Sequence, residues 1–287
     1  YTTKVDKDVV ISTWQSIYKM PRKYFDQFGC VIGDEAHMFK AKSLTGIMTK
    51  MHHCKYRFGL TGTLDGTQTH QLVLEGLFGA VEKVVTTKQL IDKNTLAKLK
   101  IKCVILKHQE IREKMTYAEE LEYLVTNEKR TDFVVNLLRH LNGNTLCLFQ
   151  LVEKHGKILN DKMKGSENVY FVYGGTDTSE REKIRGLVEK HTKSTTIASY
   201  GTFSTGINIR NIHNIVLASP SKSKIRVLQS IGRGLRTSSD KDSVLVYDIA
   251  DDISYNERRN FTLNHFTERL NIYNEEQFDY DISKVKL

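Results

Sequence analysis

Asp34 and Glu35 stand side by side behind a short apolar run, Cys30-Val31-Ile32, with His37 three residues after the first acid. Gly29 and Gly33 bracket the run, which is too short for a helix and reads as a buried strand. In parallel α/β sheets, ligands bind outside the carboxyl ends of the strands, where these acids would emerge. Two carboxylates and a histidine there suit a nucleotide-bound Mg²⁺ and the water that attacks phosphate. Asp34 would hold the ion, largely through its hydration shell, with Glu35 beside it. Glu35 would orient or deprotonate the water. A bare Asp-Glu pair reads equally well as a solvated acidic turn; the complete string Asp34-Glu35-Ala36-His37 behind an apolar strand is far more specific.

A second constellation lies near the other end, in Gln229-Ser230-Ile231-Gly232-Arg233-Gly234-Leu235-Arg236. Two guanidiniums three residues apart would project from one side of a helix. Arginine is always charged and presents a planar fork matched to phosphate oxygens. Facing the carboxylates across a cleft, Arg233 and Arg236 would stabilise charge on a transferring γ-phosphate, worth roughly a thousandfold in rate. Surface charge is the plainer alternative.

Three further strings combine glycine with small hydroxyl residues at the ends of expected strands. Thr61-Gly62-Thr63 allows a tight turn and offers hydrogen bonds to neighbouring carboxylates. Tyr173-Gly174-Gly175-Thr176 suits gripping a phosphate backbone through Gly175 and Thr176, or is an ordinary strand-to-helix turn. The stretch Ser199-Tyr200-Gly201-Thr202-Phe203-Ser204-Thr205-Gly206-Ile207-Asn208 is denser in Gly, Ser and Thr than a turn requires.

The elements that must position these residues alternate. Strands are expected at 9–13, 30–32, 56–60, near 85 and at 101–106, then at 145–149, 169–173, 195–199, 215–218 and 244–247. Helical stretches separate most of them, as in parallel sheets. Residues 110–142 are polar and helical, and Glu119-Glu120 and Glu128-Lys129-Arg130 read as solvated helix surface. An interdomain join is expected at about 107–116, giving domains 1–109 and 110–287. The tail from residue 251, including His265 and Arg269, is expected to pack on the second domain, with contact to DNA as the alternative.

The chain has 287 residues, room for two domains with cores of their own. With 39% hydrophobic and 27% charged residues it has ordinary soluble composition. Its 43 Lys and Arg against 34 Asp and Glu leave +9, which fits an anionic partner. Four scattered cysteines without a CxxC pair suit a reducing cytoplasm. His52-His53-Cys54 lacks a second ligand pair, which argues against zinc. No apolar run reaches membrane-spanning length, so no membrane partner is expected.

Four of these five strings occur in the order of superfamily 2 helicases, which the chain resembles. Asp34-Glu35-Ala36-His37 looks like motif II, the Walker B box of DEAH type, and Leu60-Thr61-Gly62-Thr63 like motif III, which couples the ATP site to the DNA-facing surface. The family often has proline next, where this chain has Leu64-Asp65-Gly66. Residues 199–208 resemble motif V, implying Gly206 and Asn208 on the ATP side and Thr202 and Thr205 on the nucleic-acid strand. Residues 229–236 resemble motif VI, implying Gln229, Arg233 and Arg236 at the γ-phosphate. Motif IV would lie in the same half. Thr13 and Gln15 match a stretch that touches the nucleic-acid backbone.

The resemblance implies an α/β fold with two RecA-like parallel-sheet lobes, the P-loop NTPase helicase core, the first incomplete at its N-terminus. The chain starts at Tyr1 and has no Gly-x-x-x-x-Gly-Lys-Ser/Thr loop, which such a motor needs. It is therefore expected to be the later part of a longer protein, inactive in ATP hydrolysis by itself. Residues 34–63 are similar to the recombination helicases of T-even bacteriophages. That similarity implies an ATP- and Mg²⁺-dependent monomer in the host cytoplasm, remodelling branched or junction DNA and RNA–DNA hybrids. Motor subunits of restriction complexes share these motifs, and a binding module without ATPase activity is a third reading.

Overall fold

Nine strands form among the described residues of a computed structural model, which are 7–39, 41–64, 68–109, 115–202, 209–221, 223–237, 241–255 and 258–287. Cys30–Gly33 (β1) and Tyr56–Gly59 (β2) pair in parallel as one small sheet. Lys98–Lys107 (β3), Asn144–Phe149 (β4), Val169–Val172 (β5), Ser194–Ser199 (β6), Asn214–Leu217 (β7), Ser243–Asp252 (β8) and Tyr280–Lys286 (β9) form the other. This sheet is parallel throughout, in the order β5-β6-β4-β7-β8-β3-β9.

Every residue of β4 and of β6 is buried, as strands covered on both faces must be. Alternate residues of β3 serve the two faces. Ile101, Cys103 and Ile105 join a core with the helices Thr178–Lys190, Lys224–Gly234 and Phe261–Glu275. Val104 and Leu106 join the opposite core with Glu128–His140 and Lys157–Lys162.

The chain divides into two compact units, Tyr1–Val84 and Val85–Leu287. The expected join at 107–116 is therefore displaced. β3 hydrogen-bonds to β8 from Lys98↔Ser243 to Lys107↔Asp252 and to β9 on its other side, so it belongs to the second unit.

Other expectations also fail, for identifiable reasons. Residues 9–13 form no strand: Val9 and Ile11 are 76% and 95% exposed, and β-branched composition without a pairing partner does not make one. Residues 80–86 likewise run without regular structure. Glu120 and Arg130, expected on solvated surface, are 2% and 0% exposed. The tail packs as a helix bearing the buried Arg269, followed by β9, a strand the sequence reading lacked. Among the described residues no helix is long and apolar enough to cross a membrane.

Candidate functional site

The acidic box sits where β1 ends. Gly33 pairs with Gly59, and the ladder continues past both strands: Leu60 N–H donates to the Gly33 carbonyl at 2.8 Å, and Ala36 N–H to the Leu60 carbonyl at 2.8 Å. Added Cβ atoms would stand 2.8 Å from the Phe39 ring at Gly33 and 2.9 Å from the Phe78 ring at Gly59. These two rings pack edge to face, centroids 5.0 Å apart. The glycines thus let an aromatic pair support the turn directly.

Asp34 and Glu35 are both exposed. Glu35 adopts the left-handed conformation, φ 48° and ψ 51°, before a 3₁₀ turn at Ala36–Met38. For a residue with a Cβ this costs on the order of 1–2 kcal/mol, strain of a kind that concentrates at functional sites. The Glu35 N–H donates to Asp34 Oδ1 at 2.9 Å, which fixes the Asp34 carboxylate. Two exposed carboxylates at a strand end are hard oxygen donors, the set that suits Mg²⁺.

His37 is buried, its Nδ1 3.0 Å from Thr61 Oγ1 and 3.3 Å from Glu35 Oε2. Thr61 Oγ1 in turn donates to the Thr63 carbonyl at 3.0 Å and accepts the Thr63 N–H at 3.3 Å. With the hydroxyl proton directed to Thr63 and a carboxylate beside it, Nδ1 is placed to donate a proton. The acidic box and the Thr61-Gly62-Thr63 turn thus share a side-chain network as well as a backbone ladder.

In the second unit, Gln229 and Arg233 lie on the helix Lys224–Gly234, half-buried, and Arg236 is exposed. The two guanidiniums do not share a helix. Gly234 ends it, with Leu235 N–H bonded back to the Ile231 carbonyl. The next carbonyls go elsewhere: Leu235 accepts Ala97 N–H at 2.8 Å, and Gly234 accepts Lys241 Nζ at 2.6 Å. Gly234 also presses on β7, where a Cβ would stand 2.5 Å from Ile215.

Lys241, absent from the sequence reading, is 3% exposed and also donates to the Arg210 carbonyl at 2.9 Å. Burial pulls its amine down to about 8. It ties the end of the arginine helix to the segment following residues 203–208. Its setting in a polar run gives no sequence signal.

The remaining candidates are dispersed. Thr13 and Gln15 are exposed, and Thr13 Oγ1 lies 3.0 Å from Ser16 Oγ. Gly175 is exposed, but Thr176 is buried and its hydroxyl accepts the Tyr173 N–H at 3.1 Å. Arg181 braces the same turn through the carbonyls of Gly174 and Thr176. Thr202 is buried 2.7 Å from Ser199 Oγ. The hydroxyls of Thr176 and Thr202 therefore support their own turns. Thr205, Gly206 and Asn208 lie outside the described residues.

Two parallel sheets, one with acids at a strand end and the other with a glycine-flanked arginine helix after a strand, have the architecture of RecA-like helicase cores. The chain is similar to ATP-dependent helicases along most of its length. Residues 128–238 match the helicase conserved C-terminal domain, and residues 2–66 the res subunit of type III restriction enzymes. The ATP-dependent DNA helicase uvsW of Enterobacteria phage T4 is 35% identical over 302 residues, covering 99% of this chain and 60% of the relative. The crystal structure of T4 UvsW superposes with a TM-score of 0.58 at 34% identity, over 95% of this chain and 57% of that one. The type ISP restriction–modification enzyme LlaBIII bound to DNA gives 0.63 at 12% identity, over 96% of this chain and 23% of that one, a likeness of fold alone. The chain thus spans about three-fifths of the phage relative's length.

Proposed function

We propose that these residues belong to an ATP-dependent DNA helicase or translocase that remodels branched DNA, including forks, junctions and RNA–DNA hybrids. The observation that carries the reading is the network joining Glu35, His37 and Thr61, because a motor must couple its phosphate-handling acids to another surface. Asp34 and Glu35 would hold Mg²⁺, which when bound with ATP neutralises phosphate charge. Glu35 orients or deprotonates the attacking water, while its contact with the Nδ1 proton of His37 steadies the carboxylate. Arg233 and Arg236 stabilise charge on the γ-phosphate. Gly206 and Asn208 are assigned to the nucleotide. Thr13, Gln15, Gly175 and Thr205 are assigned to the nucleic-acid strand, and Thr176 and Thr202, whose hydroxyls support their own turns, to shaping the loops that meet it. Alternate closing and opening of the two lobes would then move the strand.

The test is ATP turnover by the full-length protein with linear and branched DNA. Turnover raised by branched DNA and abolished in both Glu35→Gln and Arg236→Ala supports the reading. Tight DNA binding without turnover in any form would leave a binding module instead. The match of residues 2–66 to a restriction-enzyme subunit favours a second reading, a restriction-type motor. Such a motor would move along intact duplex DNA without separating its strands.

A further inference from the structure

The arginine helix leaves β7 through residues 218–221, where buried side chains hold three of the four carbonyls. Arg130 Nη2 donates to the Ala218 carbonyl at 2.8 Å, Tyr200 Oη to Ser219 at 3.1 Å, and Arg269 Nη1 to Ser221 at 3.0 Å. The Ser219 hydroxyl is also engaged, accepting Gln150 N–H at 3.0 Å and lying 2.9 Å from His155 Nδ1. Lys224, at the start of the helix, pairs with Glu275 at the end of the C-terminal helix. The donors come from widely separated parts of the chain and converge on one short connection.

Both arginines are neutralised by β8. Arg130 Nε meets Asp251 Oδ1 at 2.8 Å, and His108 Nε2 lies 2.9 Å from the same oxygen. Arg269 binds both oxygens of Asp248 at 2.7–3.0 Å, and Tyr273 donates to Oδ2 at 2.8 Å. Asp248 and Asp251 are three residues apart on a strand and therefore face opposite sides of the sheet. Both carboxylates and Arg130 are fully buried, and Arg269 is 2% exposed. Buried ion pairs contribute little net stability, because desolvation offsets their attraction. These two share a further feature: each arginine gives one more N–H to the same connection, at the carboxyl end of β7, where parallel sheets bind ligands.

We propose that Arg130 and Arg269, with Tyr200 as a third, are positioning residues that fix the start of the helix Lys224–Gly234. They thereby set the direction in which Gln229, Arg233 and Arg236 are presented. The C-terminal helix Phe261–Glu275, outside the matched segment 128–238, becomes part of the phosphate-handling apparatus. The catalytic arm of the test rests on the function proposed above; the exchange arm does not.

The test compares the full-length protein with Arg269→Lys, the double variant Asp248→Leu/Arg269→Leu, and Tyr200→Phe. A lysine still neutralises Asp248 but cannot span both the carboxylate and the Ser221 carbonyl. The double variant removes both buried charges together, and Tyr200→Phe removes one hydrogen bond without burying a charge. Amide exchange in residues 223–236 should accelerate by about tenfold or more in the first two and less in the third, with β4 and β6 still protected. Kcat for DNA-stimulated ATP turnover should fall about tenfold in Arg269→Lys at unchanged DNA affinity. Unaltered exchange in residues 223–236 in all three variants overturns the inference, whatever the turnover. If the parent itself turns over no ATP, the functional reading fails and exchange alone decides this one.

Discussion

His37 Nδ1 lies 3.0 Å from Thr61 Oγ1, and the same nitrogen lies 3.3 Å from Glu35 Oε2. A rotation at Thr61 is therefore felt at the Glu35 carboxylate through one imidazole. Removing the hydroxyl by Thr61→Val should lower maximal ATP turnover in the full-length protein by about tenfold, the scale of one or two lost hydrogen bonds. Thr61→Ser keeps the hydroxyl and should stay within a few-fold of the parent. Steady-state turnover at saturating DNA, with DNA affinity measured separately, checks this; equal turnover in Thr61→Val and the parent would sink it.

Gly33→Ala should destabilise the first unit by about 1–3 kcal/mol, because its Cβ meets the Phe39 ring at 2.8 Å in a packed site. Pairing it with Phe39→Leu should restore part of the loss by making room. Urea midpoints of the single and double variants check this.

Burial, reinforced by the Arg130 charge, pulls the His155 imidazole down from 6.5 to about 3. Between those values the unfolded chain binds the proton and the folded one does not, so stability falls as pH drops from 6.5 towards 3. The stabilisation is fully present above 6.5, and its full size is on the order of a few kcal/mol. In His155→Asn the urea midpoint should fall less steeply over this acid range. An unchanged slope would remove His155 from the account.

Glu120 caps the C-terminal helix from another helix. Its carboxylate accepts Phe261 N–H at 2.9 Å, Thr262 N–H at 2.6 Å, the Thr262 hydroxyl at 2.6 Å and Asn260 Nδ2 at 2.9 Å. Glu120→Gln should cost about 1–3 kcal/mol, because an amide has one acceptor oxygen and leaves buried donors unpaired. Equilibrium unfolding followed by circular dichroism, with amide exchange over residues 261–275, checks both the cost and its location.

Apolar runs and glycine-bounded turns made most strands legible, since β1–β8 coincide with short apolar, aromatic or β-branched segments. The same runs gave the candidate residues, because Asp34, Glu35 and Thr61 follow strand ends directly. Pairing was not legible. Nothing local in β3 says that its neighbours are β8 and β9, which lie far along the chain. Charge runs misled for the same reason. Glu128-Lys129-Arg130 looks like solvent-facing helix, yet Arg130 finds Asp251 across 121 positions, and Arg269 finds Asp248 across 21. Arg236 was misplaced because the contacts that end its helix come from Ala97 and Lys241.

The place of β3, one strand in from the sheet edge and paired on both sides, also decides how the second unit can be produced by itself. A polypeptide starting near residue 110, as helical propensity suggests, would lack Ile101, Cys103 and Leu106, all fully buried. β8 and β9 would then have no strand between them, and β8 would expose the edge along Ser243–Asp252 that now pairs with β3. Open edges of that kind recruit other chains. Such a product should come out as aggregates, whereas one beginning at Val85 retains its sheet.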